Sequence, residues 1–284
     1  MSVIEVEDFS FKYEGSDFWA VKNINFKLEE GELVLITGPS GCGKSTLCRA
    51  FNGLIPHFYS GEYRGSVRVL GHEVKETPTY ELARFVSMVF QNPENQLFAS
   101  TVEREIAFGL ENLGLSRDEI RERLEEVLEI IGIRDLRKRA PFELSGGQQQ
   151  KVAIASVIAM RPKILIMDEP TANLDPVSAL EVFQLLLKLR RELSMTIIVV
   201  EHRLELISSF VDRIIVMNSG QIVLDGSPRQ ILVLPEVQRI GIGVPKIVLL
   251  CKRLREKGVN IPSLPLTPEE FAEEVNRYRT RQSY

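Results

Sequence analysis

The order of apolar and polar residues along the chain predicts a sheet of buried strands that alternates with helices. Residues 4–13 and 23–28 alternate between apolar and polar positions, which is typical of strands with one buried face. Leu33–Thr37, 164–167 and Thr196–Val200 are instead almost continuously apolar, as central parallel strands buried on both faces are. Because helical patterns follow the last two runs, we predict an α/β fold in which helices cover a sheet.

The middle of the chain has helical rather than strand periodicity. Within 93–141, Ser116 and Glu119 form a capping-box pattern. Apolar residues then recur at helical spacing, namely Ile120, Leu124, Val127, Leu128 and Ile131. After Gly226 the apolar strand runs stop, and Thr267 with Glu270 repeats the capping-box pattern around Pro268. We therefore predict a core domain at 2–226, with a helical subdomain at about 93–160, followed by a small C-terminal helical extension at 227–284.

Composition and charge exclude several classes of protein. With 44% hydrophobic and 26% charged residues, the chain is neither disordered nor a disulfide scaffold. The 35 Lys and Arg against 39 Asp and Glu give a net charge of −4, which argues against nucleic acid as a partner. The three cysteines form no C-x-x-C pair, so we expect reduced thiols. No secretory signal begins the chain, and no apolar run reaches the about 20 residues of a membrane-spanning helix. We expect a soluble protein that reaches a membrane only through a partner.

Residues 38–46 form a phosphate-binding loop (P-loop). They read G-P-S-G-C-G-K-S-T and match G-x-x-x-x-G-K-[S/T], between a predicted strand and a helical run. The glycines allow backbone N–H groups to surround phosphate oxygens, and the following helix points its positive end at the same anion. Lys44 would neutralise the β and γ phosphates, and the Ser45 hydroxyl would ligate Mg²⁺. The predicted nucleotide-binding residues of the loop are Gly38, Pro39, Ser40, Gly41, Cys42, Gly43, Lys44, Ser45 and Thr46.

Two adjacent carboxylates follow the apolar run 164–167. Neighbouring side chains of a strand point to opposite faces, so Asp168 and Glu169 need not serve one task. Asp168 can hold a Mg²⁺-bound water, and Glu169 can polarise an attacking water as general base. This interpretation depends on the P-loop upstream, because a strand that ends in Asp-Glu is by itself more often a turn that caps a helix.

A second anion site is predicted where a Ser-Gly-Gly turn opens a helix. The turn consists of Ser145, Gly146, Gly147 and Gln148, and the apolar positions after it have helical spacing. A flexible glycine loop would not need such periodicity directly after it.

Together these motifs, with 172–175 and His202, stand in the order found in ATP-binding cassette (ABC) ATPases, and the chain resembles that family over about 2–226. The resemblance implies a P-loop NTPase fold with an antiparallel β subdomain and a helical subdomain, and it implies ATP and Mg²⁺ as ligands. It further implies that Tyr13 stacks on adenine and that Gln91 touches Mg²⁺ and the attacking water. Asp175 resembles the aspartate that crosses the dimer interface, and His202 resembles the histidine that contacts the γ-phosphate.

The same resemblance implies that the cassette works as a pair. Residues 145–148 of one chain would close over the ATP that Lys44 of another chain holds. Hydrolysis would then part the two cassettes. The second cassette can be identical or a paralogue, and the residues alone do not separate ATP from GTP.

A narrower resemblance concerns the Q-N-P-E-N-Q-L-F segment at 91–98, followed by 101–109, and three C-terminal segments at 243–245, 248–254 and 264–271. All are similar to the cassettes of energy-coupling factor (ECF) transporters, including the cobalt and nickel type. This resemblance implies a subunit that energises uptake of a vitamin or a transition-metal ion. Its partners would be a transmembrane coupling protein and a membrane substrate-binding subunit, and it would sit peripherally on the cytoplasmic face of the cell membrane. We expect its C-terminal extension to support dimerisation.

Two other functions of the same superfamily stay open. A DNA-repair or chromosome-binding ATPase would carry a long coiled-coil or zinc-bearing insertion, whereas Lys44 and Ser145 are separated by 101 positions without heptads or clustered cysteines. A translation-associated ATPase usually has two cassettes in one chain, and this chain has one. ATPase activity stimulated by DNA or ribosomes would favour these functions, and co-purification with a membrane protein would favour transport.

Overall fold

The computed structural model describes residues 1–282, with side chains through residue 277, so residues 283 and 284 of the predicted extension lie outside the described part. The first sheet is antiparallel and four-stranded, in the order β2-β1-β4-β5. Its strands are β1 (Ser2–Tyr13), β2 (Val21–Glu29), β4 (Gly61–Val69) and β5 (His72–Glu73).

A bulge in β1 explains why the apolar alternation of this strand changes phase. Ile4 and Val6 are buried before the bulge, and Phe9 and Phe11 are buried after it. The pairing of β1 with β2 shifts register between Val6 and Phe9, where Asp8 has a φ of +49°. The extra residue lets the apolar side chains on both sides of the bulge face the same core.

The second sheet has six strands in the order β10-β9-β3-β8-β7-β6. They are β3 (Leu33–Thr37), β6 (Val86–Val89), β7 (Ile164–Asp168), β8 (Thr196–Val200), β9 (Arg213–Asn218) and β10 (Gln221–Gly226). All neighbours are parallel except the edge pair β9–β10. Every residue of β3, β7 and β8 is buried, which confirms that these apolar runs are central strands covered on both faces.

Twelve helices are described besides three short 3₁₀ segments at Pro93–Asn95, Arg134–Leu136 and Pro141–Glu143. They are α1 (Lys44–Phe51), α2 (Leu54–His57), α3 (Thr79–Leu82), α4 (Val102–Asn112), α5 (Arg117–Ile131), α6 (Gly146–Ile158), α7 (Pro176–Leu193), α8 (Leu204–Ile207), α9 (Pro228–Ile231), α10 (Pro235–Arg239), α11 (Lys246–Glu256) and α12 (Pro268–Gln282). No described helix is both long enough and apolar enough to cross a membrane.

Helices α4, α5 and α6 pack together within the segment predicted to be helical. The predicted capping box at the start of α5 is present, because the Ser116 hydroxyl accepts from the Glu119 N–H and the Glu119 carboxylate accepts from the Ser116 N–H. Four of the five predicted apolar positions of α5 are buried, namely Leu124, Val127, Leu128 and Ile131, and Ile120 is partly buried against the same core. Their apolar side chains join one core with the sheet residues Leu33 and Leu35.

The residues after Gly226 pack onto this same core. Their buried members are Ile231, Leu232, Val237, Ile242, Val248, Cys251, Ile261, Leu264 and Leu266. The second predicted capping box is only half formed. This prediction was therefore partly wrong. Thr267 accepts from the Glu270 N–H at 3.2 Å, but the Glu270 carboxylate turns to the Leu266 N–H and to Arg229. The charged guanidinium of Arg229 forms a stronger hydrogen bond with this carboxylate than the Thr267 N–H, the partner in a complete capping box, would form.

Candidate active site

The loop between β3 and α1 has a backbone that only glycine accommodates at two positions. Gly38 has a φ of +150°, and a Cβ built on it would lie 2.1 Å from the Met217 carbonyl oxygen. Gly43 has a φ of +104°, and its Cβ would lie 2.4 Å from the Ala20 carbonyl oxygen. The loop therefore makes a tight turn and leads directly into α1. The first N–H groups of this helix have no intrahelical acceptor. This is the anion-binding geometry that the sequence predicts.

The Lys44 ammonium lies inside this loop. Lys44 is buried, and its Nζ donates to the carbonyl oxygens of Gly38 at 3.0 Å and Pro39 at 2.9 Å. These two neutral carbonyls leave its positive charge available to an anion in the loop. The thiol of Cys42 next to it is free, and burial raises the pKa of that thiol, so it stays protonated at neutral pH.

Ser45 and Asp168 meet across the ends of α1 and β7. The Ser45 hydroxyl donates to Asp168 Oδ1 at 3.2 Å. Burial raises the pKa of the Asp168 carboxyl, and the Ser45 hydrogen bond opposes that rise. A hydroxyl and a carboxylate are oxygen ligands of the kind that Mg²⁺ takes together with phosphates, so this pair fits the predicted metal site.

Glu169 faces away from Asp168 and forms a separate group with Gln91 and His202. Gln91 Nε2 donates to Glu169 Oε2 at 2.7 Å, and His202 Nε2 lies 3.0 Å from Glu169 Oε1. The backbone of Glu169 has a φ of +50°, a conformation that non-glycine residues rarely adopt and that is often found at functional sites. The adjacent carboxylates thus serve different partners, as their positions on the strand predict.

An open cavity of about 1490 Å³ joins these groups. Its wall includes the P-loop, Gln91, Glu169, His202 and, on the side of the antiparallel sheet, Tyr13. The Tyr13 hydroxyl is hydrogen-bonded to Thr46 Oγ1 at 3.2 Å and accepts from Arg49 at 3.2 Å. The structure therefore brings together the P-loop and all three predicted catalytic residues, with Tyr13 at the edge of the same space.

The four residues of the Ser-Gly-Gly turn lie elsewhere. Ser145 caps α6, since its hydroxyl accepts from the Gln148 N–H at 3.4 Å and its own N–H donates to Gln148 Oε1 at 3.1 Å. None of the residues 145–148 lines the P-loop cavity in the described part of the chain, and Gly146 opens instead onto a smaller cleft beside Gln91. One chain alone does not place its two predicted anion sites together.

Asp175 caps the start of α7 and is exposed to solvent. Its carboxylate accepts from the Val177 N–H at 2.9 Å and from the Ser178 N–H and hydroxyl. These bonds, led by that of the Ser178 hydroxyl, lower the pKa of Asp175, so the side chain stays ionised. Its predicted role at a dimer interface stays a prediction.

Sequence reasoning missed several residues around the site. Phe18 and Trp19 line the cavity beside Tyr13, and Phe18 is 73% exposed. The aromatic pair in a short turn was a signal that could have been read. Residues 240–243 of the C-terminal extension line the cavity as well, and no local motif marks them. The buried carboxylate of Glu201, next to His202, was also missed.

Two comparisons of the sequence agree with each other. A family model described as ABC transporter matches residues 21–172. A Pyrococcus horikoshii protein, provisionally named an ABC transporter ATP-binding protein, is 47% identical over 231 residues, which cover 81% of each chain. A Methanosarcina acetivorans protein with the same provisional name is 47% identical over 224 residues, which cover 79% of this chain. This chain spans only 35% of the length of that second relative.

Solved structures with similar folds cover most of the chain. CbiO1 from Clostridium perfringens, described as part of the ABC transporter complex CbiONQ, has a TM-score of 0.76 and 34% identity, covering 91% of this chain and 99% of that one. An ATP-binding cassette in a dimeric post-hydrolysis state with ADP and Pi has a TM-score of 0.69 and 30% identity, covering 80% of this chain and 99% of that one.

Proposed function

Because this chain belongs to the ABC transporter family of ATPases, with the predicted P-loop NTPase fold, we propose that it energises solute uptake through a membrane-embedded ECF-type transporter. The observation that carries the catalytic part is the shared cavity, whose wall holds the P-loop together with Gln91, Glu169 and His202. This set contains what hydrolysis of a nucleoside triphosphate needs: donors for phosphate oxygens, a cation, and a carboxylate held beside them.

Glu169 acts as general base in this proposal. Its two carboxylate oxygens are held by different donors, Gln91 and His202, so the carboxylate has one orientation toward the cavity. A water between Glu169 and the terminal phosphate would lose its proton to this carboxylate as its oxygen bonds to the γ-phosphorus, while the bond from that phosphorus to the ADP oxygen breaks and ADP leaves. His202 would reach the same phosphate from its position on the cavity wall. Ser45 and Asp168, with Gln91 nearby, would hold Mg²⁺, which would supply positive charge beside the phosphates.

A second cassette completes the site. Lys44 lines the large cavity, whereas Ser145, in the second predicted anion site, does not line it in the described part of the chain. A second copy, identical or paralogous, would bring its 145–148 turn over the nucleotide that Lys44 holds. The N-terminus of α6 would then point its positive end at the phosphates from the opposite side. The likeness to a cassette that is dimeric with ADP and Pi supports this arrangement.

An exposed aromatic pair supports docking to a membrane partner. Phe98 is 66% exposed and Phe108 is 46% exposed, and their ring centres lie 4.8 Å apart. Phe98 is the last residue of the 91–98 segment, which begins at Gln91 in the cavity, and Phe108 follows in α4. A transmembrane coupling protein that covers these rings could exchange motion with Gln91 through this short segment. The likeness to CbiO1 supports partners of this kind, together with a membrane substrate-binding subunit for a vitamin or a transition-metal ion, at the cytoplasmic face of the membrane.

Purification of the intact complex in mild detergent tests this function. We expect a membrane protein with several spans to co-purify with the chain, and we expect the bound solute to be identifiable by mass spectrometry. ATPase activity that is stimulated by DNA or ribosomes, without any membrane companion, would overturn the transport function and favour a nucleotide switch in DNA repair or translation.

A further inference from the structure

The residue before His202 is a buried glutamate, and both of its carboxylate oxygens accept hydrogen bonds. Glu201 is 2% exposed and lies directly after β8. Its Oε1 accepts from the backbone N–H groups of His202 at 2.8 Å and Arg203 at 3.0 Å. Its Oε2 accepts from the Thr171 hydroxyl at 2.5 Å. The side chain therefore holds the backbone of the His202 loop on one side and a residue 30 positions away on the other.

Thr171 belongs to the turn that follows Glu169. It is completely buried, and its carbonyl oxygen accepts from the Arg203 guanidinium at 3.1 Å. The same guanidinium donates to the Leu174 carbonyl at 3.0 Å. Side chains from each segment thus bond the other segment. We call the network of Thr171, Glu201 and Arg203 the loop clamp.

The loop clamp joins the two chain segments that carry the catalytic pair. Glu169 and His202 meet at 3.0 Å, and each of these residues lies within two positions of a clamp residue. Burial of a carboxylate is costly unless its oxygens are hydrogen-bonded, and here three donors meet that need. Carboxylates that accept backbone N–H groups also hold those groups in a defined direction.

We propose that Glu201 is a positioning residue for the reaction: its carboxylate fixes the His202 loop against the 171–174 turn, so that the imidazole stays within hydrogen-bond distance of Glu169. This inference rests on the proposed ATPase function for its kinetic consequence. Its structural consequence, the position of the imidazole, does not require hydrolysis.

Matched variants separate positioning from general support of the fold. Thr171→Val removes the hydroxyl at nearly constant shape, and Thr171→Ser keeps it. Glu201→Gln keeps the shape and removes the charge, whereas Glu205→Gln makes the same change at an exposed position whose carboxylate accepts from the Lys246 N–H. We expect Glu201→Gln and Thr171→Val to lower kcat by about 10- to 100-fold, because small displacements of catalytic groups have effects of this size. The KM for ATP should stay within about twofold, because neither variant touches the P-loop.

The imidazole of His202 provides a second readout by NMR, since the chain has only three histidines. With ¹³C-labelled histidine, the His202 signal should move in Glu201→Gln and Thr171→Val but stay in place in Thr171→Ser and Glu205→Gln. His57 and His72 serve as internal references.

Wild-type kcat and an unmoved His202 signal in both clamp variants would overturn the proposal. A rise in KM that matches the fall in kcat, with a lower Tm and no change at His202, would overturn it too, because it would indicate general structural support. If the wild-type chain hydrolysed no ATP, the proposed function would fail, while the NMR measurement would still decide the role of the clamp.

Discussion

Replacement of the Glu169 carboxylate by an amide of the same shape tests the catalytic assignment. In the structure, Glu169 Oε2 accepts from Gln91 Nε2 at 2.7 Å and Oε1 lies 3.0 Å from His202 Nε2. In Glu169→Gln the single amide oxygen can keep one of these bonds, and the amide N–H₂ faces the other position. The variant keeps the volume of the side chain but loses the proton acceptor.

The size of the effect follows from the role. A positioned general base contributes about 10²–10⁴-fold to the rate, so turnover should fall by that factor. At 1.36 kcal/mol for each tenfold change, the barrier should rise by about 3–5 kcal/mol. Folding stability should change by about 1 kcal/mol or less, because the Glu169 and His202 side chains are 21% and 39% exposed. Affinity for ATP should stay within about twofold, since Lys44 is not altered.

Single-turnover phosphate release and equilibrium binding of a fluorescent ATP analogue measure the two quantities separately. Glu192→Gln, an exposed position near the end of α7, is the matched control and should behave as wild type. Turnover of Glu169→Gln within about threefold of wild type would remove Glu169 from the role of base.

Three further predictions concern binding and stability. Lys44→Ala removes charge-assisted bonds of about 1.5–3 kcal/mol, so ATP affinity should fall about 10- to 150-fold in the same titration, and an unchanged Kd would contradict the P-loop assignment. Burial raises the pKa of the Asp168 carboxyl in the folded protein. The ionised carboxylate therefore destabilises the fold at pH values above this raised pKa, and protonation removes the destabilisation as the pH falls through it. Asp168→Asn should therefore raise the Tm of the nucleotide-free protein at neutral pH, and this increase in Tm should disappear at low pH. An equal increase in Tm at all pH values would refute burial of the ionised carboxylate as its cause. Gly43→Ala places a Cβ 2.4 Å from the Ala20 carbonyl oxygen and should lower the free energy of unfolding in urea by about 2–4 kcal/mol. Gly41→Ala places its Cβ where no atom lies within 4 Å, so the positive φ alone should lower the free energy of unfolding by only about 1–2 kcal/mol. Equal costs for the two glycines would refute the steric argument.

The parts of the fold with a local physical cause could be predicted from the sequence. β3, β7 and β8 lie where apolar runs occur, because strands covered on both faces leave no polar positions inside the run. The start of α6 was predictable for a similar reason, since Ser145 and Gln148 satisfy each other within one turn. The P-loop was predictable because all its ligating groups are contiguous in the chain.

Features that depend on distant partners were not predictable. Glu201 bonds Thr171 across 30 positions, and no spacing rule links a residue after one strand to a turn after another. The Glu270 carboxylate accepts from the guanidinium of Arg229, 41 positions away, instead of completing the expected capping box, because the fold places that guanidinium beside it. Residues 240–243 reach the cavity only because the C-terminal extension packs on the core.

The direct test of the account is the association state of Glu169→Gln with Mg²⁺ and ATP, measured by sedimentation equilibrium, alone and with any companion cassette that co-purifies. We predict dimers with ATP and monomers without it. We also predict that adding Gly146→Asp abolishes the ATP-dependent dimer, because its carboxylate would oppose the phosphates across the interface, while an acidic residue in the first turn of α6 is favourable for the helix itself. A chain that stays monomeric under every condition, or a dimer that Gly146→Asp leaves intact, would contradict the claim that ATP is clamped between Lys44 of one copy and residues 145–148 of another.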